Sequence, residues 1–113
     1  MKHEMKLQPF FFEKLRSQEK IYEIRLNDEK RQKVKVGDII TFRLQPELLK
    51  SINTKVMELT YFKSIKEMLE KIPLKDLGFE HANKLDVEEV YRRYYAPEQE
   101  SKYGVVAIKV ELA

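Results

Sequence analysis

Three residues in the stretch "SQEKIYEIRLND" carry groups that could do chemistry together: Lys20, Glu23 and Arg25. Residues 20–26 alternate as a strand does, and side chains two apart on a strand point the same way at about 6.5–7 Å spacing. Glu23 and Arg25 therefore project from one face and can reach each other, while Tyr22, Ile24 and Leu26 take the other face as the buried set. Lys20 has the opposite parity, but it opens the strand, where the preceding loop can redirect it. In open water such a pair contributes only about 0–1 kcal/mol. Under a helix or inside a cleft, neither charge can be left unpaired without a heavy cost. One reading is an ion pair that fixes strand register. The other is a polar pocket, where the carboxylate accepts from a base's amino group while Arg and Lys hold a phosphate.

Other chemistries have less to build on. The chain has no cysteine, which excludes disulfides and thiolate chemistry and fits a reducing compartment. His3 and His81 stand in unrelated contexts without ligand spacing, so both read as surface residues and no metal site is expected. Only three glycines occur, none in a phosphate-binding cluster, and no Ser-His-Asp pattern can be assembled. No cofactor is implied. No apolar run approaches the roughly 18 residues of a membrane span, and "MKHEMKLQ" lacks the apolar segment of a signal peptide. The expectation is a cytoplasmic protein with no membrane partner.

Charge adds a direction. Net charge is +3, but residues 1–56 hold 13 Lys/Arg against 8 Asp/Glu, whereas residues 57–113 hold 9 against 11. A positive N-terminal half can attract a polyanion such as RNA. A lysine-bearing edge that discourages aggregation would show the same bias.

The elements that must position these residues follow from periodicity. At 113 residues the chain is one domain, spanning 1–113. "HEMKLQ" alternates as a short strand with Met5 and Leu7 inward. Pro9 opens a helix over 9–17, with the phenylalanines of "FFF" as a core plug. Asn27 and Asp28 supply turn chemistry, and "KVKVGD" and "DIITFRL" give two further alternating stretches split at Gly37-Asp38. Residues 51–62 read as one strand with Val56, Glu58, Thr60 and Phe62 on a common face. Ser64 and Glu67 form a capping box for a helix over 65–72. A second helix spans 87–95, with Asp86 and Glu89 capping it and Pro97 ending it. "YGVVAIKVEL" is a closing strand with Val106, Ile108, Val110 and Leu112 aligned. The first and last strands are expected to close one sheet. The fold class is α+β: a mostly antiparallel β-barrel of five or six strands with helices packed at its rim.

The same residues resemble a known family. "SQEKIYEIRLND" is similar to the G-x-K-x-x-E-x-R signature of the ASCH domain, the activating signal cointegrator homology family, with Gln18 or Glu19 where the signature carries Gly. "VKVGDIITF", "SIKEMLEK", "VEEVYRRYY" and "KYGVVAIKVEL" extend the resemblance in order, the last looking like the ending of small prokaryotic members. The resemblance implies a PUA-like fold, that of the pseudouridine synthase and archaeosine transglycosylase domain, and an RNA-binding cleft beside the signature. Lys20, Glu23 and Arg25 would line that cleft. Charge and proximity add Asn27, Arg31, Lys33 and Lys35 to the candidate RNA- or nucleotide-binding residues.

Three functions are compatible with this reading. The first is a module that binds RNA or a nucleotide, acting in RNA metabolism or translation-linked regulation. The second is a hydrolase of a modified nucleoside or of RNA. A related subset removes acetyl groups from 4-acetylcytidine with a K-x-x-T-x-R motif, and there the Thr is the nucleophile. Here Glu23 stands at that position, and a carboxylate cannot become the alkoxide such chemistry needs. Lys20 and Glu23 would be the catalytic pair if the protein is an enzyme, with Glu80, Glu88 or Glu89 as a second acid. The third is a structural or protein-interaction domain, with Tyr91, Tyr94, Tyr95 and Tyr103 as an aromatic surface. Binding is the favoured reading.

Overall fold

The computed structural model describes residues 1–113. Five strands and four helices follow the order β1 (Lys2–Leu7), α1 (Pro9–Arg16), β2 (Tyr22–Leu26), β3 (Ile39–Leu44), β4 (Ser51–Phe62), α2 (Ile65–Lys71), α3 (Lys84–Arg92), α4 (Pro97–Tyr103) and β5 (Val105–Leu112). The strands form one curved sheet in the order β1-β3-β4-β5-β2, so β1 and β2 are its two edges. β1 runs parallel to β3, and every other pairing is antiparallel. The α+β class and the mostly antiparallel strands agree with the sequence reading.

The sheet closes differently from the sequence expectation. The first and last strands do not pair: β5 lies between β4 and β2, and β1 pairs with β3. Which strands meet is a non-local matter that alternation along one strand does not carry. The result is a half-barrel with a seam between β1 and β2.

Both faces of the sheet are buried, which follows from the period of two along β5. Val106, Ile108 and Val110 join an inner cluster with Met5, Phe42 and Val56. Phe11, Phe12 and Leu15 of α1 close that cluster, while Phe10 stays about half exposed. Val105 and Ala107 turn to an outer cluster, built with Ile24 and covered by Ile65 and Met68 of α2 and Val87 and Tyr91 of α3. Each large apolar side chain so buried contributes about 1.5–3 kcal/mol. Leu112, expected in the aligned set, is 40% exposed because it lies at the strand's end.

Several local expectations need correction. β4 is not evenly alternating: a bulge between Val56 and Glu58 leaves Met57 unopposed and flips the parity beyond it. Val56 faces Val110, but it is Leu59 that pairs with Ile108 and packs on the inner cluster. "KVKVGD" is not a strand; it begins at the last residue of a 3-10 turn over Arg31–Lys33 and continues as a loop held by buried Val34. The 87–95 helix starts earlier, at Lys84, because the Asn83 side chain, not Asp86, caps it by accepting from the Asp86 N–H. That helix also stops earlier, at Arg92 instead of Tyr95, and Pro97 ends no helix; it opens α4, where its missing N–H costs nothing. The Ser64–Glu67 cap is present, with the Ser64 hydroxyl accepting from the Glu67 N–H at 3.0 Å. No helix is long and apolar enough to cross a membrane.

Candidate functional site

Lys20 is positioned by the way α1 ends. Gln18 takes a left-handed backbone at φ 65°, and the Lys20 N–H returns to the Lys14 carbonyl at 2.9 Å. Gln18 thus occupies the conformation that the Gly of the signature adopts freely. The turn redirects the Lys20 side chain into the inner cluster. Gly78, at φ 94°, lets a neighbouring loop approach, since a Cβ there would stand 3.2 Å from Lys14 Cβ and Cγ and 3.5 Å from Lys20 Cβ.

Glu23 and Arg25 enter the same interior from β2. They pair in register with Ile108 and Val106 of β5, both inner-cluster residues, so the two charges point into the half-barrel. The expectation that Tyr22, Ile24 and Leu26 form the buried face of β2 is therefore corrected, and of the two settings left open for the Glu23–Arg25 face the structure has the interior one. Ile24 is buried, but so is Glu23, at 5% exposure, while Tyr22 and Leu26 are only half-buried.

The three charged groups form one chain. Lys20 Nζ lies 3.4 Å from Glu23 Oε1, donates to the Tyr22 carbonyl at 2.5 Å, and stands 5.1 Å over the Phe11 ring. Arg25 Nε donates to Glu23 Oε2 at 2.6 Å, and Arg25 Nη2 donates to the Lys6 carbonyl on β1, also at 2.6 Å. Burial pushes the Lys20 ammonium below the ordinary lysine value, and the Glu23 carboxylate only partly offsets it. Burial alone would raise the Glu23 pKa, but Arg25 and then Lys20 outweigh it and hold the carboxyl below its ordinary value. Burial opposes the Arg25 charge as well, and Glu23 reverses that, raising its pKa.

Over this floor lies a cleft of about 390 Å³ at the seam. Glu23, Ile24 and Arg25 form one side; Lys6, Leu7 and Gln8, from the end of β1 onward, form another. Phe11, Tyr91, Tyr94 and Tyr95 supply aromatic walls, and Gln45 closes the rim with a 2.9 Å amide hydrogen bond from Gln8. The Tyr95 hydroxyl donates to the Ile24 carbonyl at 2.7 Å, fixing the turn that follows α3 to β2. The Tyr91 hydroxyl is buried without a partner. Burial raises the pKa of both phenols, with the Glu23 charge adding to it, so both remain neutral donors at ordinary pH.

The candidate residues from the sequence separate into groups. Lys20, Glu23 and Arg25 are brought together, with Glu23 and Arg25 lining the cleft and Lys20 sealed behind them. Arg31 lines a neighbouring basic cleft. Asn27 sits at the end of β2 with a buried, unpartnered Oδ1, and lines neither. Lys33 and Lys35 are exposed on the loop and line neither. Glu80 and Glu89 are exposed, and Glu88 pairs with Arg92 at 3.4 Å; none lines the aromatic cleft. His3 is not an ordinary surface residue: its side chain is 8% exposed and Nε2 bonds Asp38 Oδ2 at 2.8 Å, pinning β1 to the start of β3. His81 is exposed, as expected.

Gln8, Gln45 and Lys6 were not singled out from the sequence. Their signal is absent there, because each acquires its place from the parallel β1–β3 pairing. The tyrosines at 91, 94 and 95 had a signal, helical spacing, but that spacing alone reads as core. Chemically, the arrangement presents an aromatic-walled cleft with an arginine edge and two amides, and keeps the buried Lys20 out of reach.

A family model described as the ASCH domain matches residues 5–113. The chain is similar to the crystal structure of hypothetical protein PH0355 from Pyrococcus, with 39% identity, 100% coverage of both chains and a TM-score of 0.89. It is also similar to the solution structure of protein PF0455 from Pyrococcus furiosus, with 40% identity, 99% of this chain and 97% of that one covered, and a TM-score of 0.79. No match is found among curated proteins. The half-barrel with helices at its rim is a PUA-like fold, as the resemblance implied.

Proposed function

Because the chain belongs to the ASCH domain family, a PUA-like fold often linked to RNA binding, we propose that it is an RNA- or nucleotide-binding module whose recognition cleft lies at the barrel seam. The observation that carries this reading is the cleft of about 390 Å³ between Arg25 and the aromatic walls, large enough for one nucleobase. Tyr94, about half exposed, and the half-buried Tyr95 suit stacking on an unpaired base, a contact worth about 1–3 kcal/mol by side-chain removal, with buried Phe11 and Tyr91 backing them. Arg25, Gln8 and Gln45 offer the polar edge that reads it.

The hydrolase reading draws support from Lys20, whose lowered pKa beside a carboxylate is common at catalytic sites. Against it, Lys20 is fully buried and its ammonium is committed to Glu23 and the Tyr22 carbonyl, so it offers no proton-transfer path to a ligand in the cleft. The geometry favours binding.

Fluorescence titration of single-stranded RNA at several salt concentrations tests this reading. Saturable binding that weakens with salt and falls in both Tyr94→Ala and Arg25→Lys supports it. Two folded variants that bind as the parent does overturn it. Product analysis after incubation with 4-acetylcytidine and with mixed RNA separates binding from turnover.

A further inference from the structure

Beside the aromatic cleft, across the Arg25 side chain, lies a second cleft of about 260 Å³. Five cationic residues and one carboxylate line it: Lys6 and Glu4 on β1, Arg25 on β2, Lys30 and Arg31 in the following loop, and Arg43 on β3. Three of the five are already paired within the fold, Arg25 with Glu23, Arg31 with Asp28 at 3.1 Å and Arg43 with Glu4 at 2.7 Å. Lys6 and Lys30 have no carboxylate partner, so the cleft keeps two uncompensated positive charges. Arg31 contributes a further unmet demand: its Nε–H is buried and has no acceptor. A buried donor without a partner is costly, so the Arg31 guanidinium is left incompletely satisfied by the fold.

The two clefts share Lys6 and Arg25 as a common wall. We infer that the basic cleft is a phosphate subsite, taking the phosphate of the nucleotide whose base enters the aromatic cleft. Two free lysine charges match a phosphate monoester dianion, and the guanidinium N–H groups that the internal carboxylates leave unused add donors for its oxygens. The ligand unit is then a nucleotide and not a free nucleoside. The phosphate comes from a terminal monoester or from an internal phosphodiester. The inference rests on the proposed base-binding role of the neighbouring cleft.

The test is an NMR titration of the full chain, following the arginine Nε–H and tyrosine ring signals, with four probes: adenosine, inorganic phosphate, adenosine 5′-monophosphate and a dinucleotide with no terminal phosphate. Inorganic phosphate is expected to move the Arg31 Nε–H signal saturably, and adenosine the Tyr94 and Tyr95 rings. The monophosphate should move both sets and bind at least about tenfold tighter than adenosine, as charge-assisted hydrogen bonds require. That advantage should vanish in Lys30→Gln/Arg31→Gln, with adenosine binding retained. A dinucleotide sharing the advantage assigns the subsite to a chain phosphate; one that lacks it assigns the subsite to a terminal phosphate. If adenosine saturates while phosphate moves nothing, or the double variant keeps the full advantage, the inference falls and the base cleft stands. If phosphate saturates while adenosine and the monophosphate leave the rings unmoved, the base-binding role falls, and the nucleotide inference with it.

Discussion

Arg25 Nη2 donates to the main-chain carbonyl of Lys6 at 2.6 Å, joining the two edge strands that the sheet leaves apart. The same guanidinium is held by Glu23 through its Nε at 2.6 Å, and Glu23 in turn holds Lys20. One side chain therefore closes the barrel seam, floors the aromatic cleft and borders the basic one. Structural and recognition roles meet in one residue, so variants must be chosen to separate them.

Glu23 is the member on which the buried charges depend. Glu23→Ala leaves Lys20 and Arg25 facing each other inside the barrel, and should lose about 3–5 kcal/mol of unfolding free energy in a denaturant titration. Lys20→Met should behave differently. Burial outweighs pairing for this lysine, and Glu23 keeps Arg25 after it is gone. The expected change is within about 1 kcal/mol of the parent, in either direction. Equal losses in the two variants would contradict this division.

Recognition and stability should separate at the tyrosines. Tyr94 is 49% exposed at the cleft, so Tyr94→Ala should weaken nucleoside binding by about tenfold, the worth of a stacking contact, with little change in melting temperature. Tyr95→Phe removes the hydroxyl that anchors the turn after α3 to the Ile24 carbonyl, and should cost about 0.5–1.5 kcal/mol of stability. Titration and thermal melts on both proteins read the two effects.

Acid should loosen the β1–β3 end of the sheet through Asp38. Its carboxylate accepts from His3, from the Lys35 N–H and from the chain's α-amino group, which together hold its pKa down from 3.8 to about 2. A depressed folded-state pKa contributes stability that is complete above the unfolded value and is lost as pH falls through the folded one. Stability should therefore decline between about pH 4 and pH 2. Glu23, also lowered, adds to the same slope from the Glu range downward. In Asp38→Asn the stability at neutral pH should be lower and the acid slope shallower, measured by urea unfolding across this range.

Gln18 carries a left-handed backbone without being glycine. Gln18→Gly relieves that strain while adding freedom to the unfolded chain, and the net expectation is stabilisation by about 0.5–1 kcal/mol. A lower melting temperature in this variant would show that the turn does not strain Gln18. The turn matters for the site because it aims Lys20 inward.

The sequence by itself determined the local grammar of this protein. The Lys-x-x-Glu-x-Arg spacing on a strand was enough to predict that Glu23 and Arg25 would meet, because strand period two acts within a few residues. Ser64 with Glu67 marked a helix start, and "VVAIKV" marked a strand, for the same reason. What only the tertiary structure decided is long-range. The parallel docking of β1 on β3 brought Lys6 to the seam, and the bulge after Val56 set which residues of β4 face inward. The turn after α3, docked on β2 through the Tyr95 hydroxyl, brought Tyr94 and Tyr95 to the cleft, while Tyr91 stayed in the outer cluster. His3 gained its carboxylate 35 residues away by the same route. Strand order and helix docking depend on contacts between segments distant in sequence, and no local periodicity encodes which distant segment will be the partner.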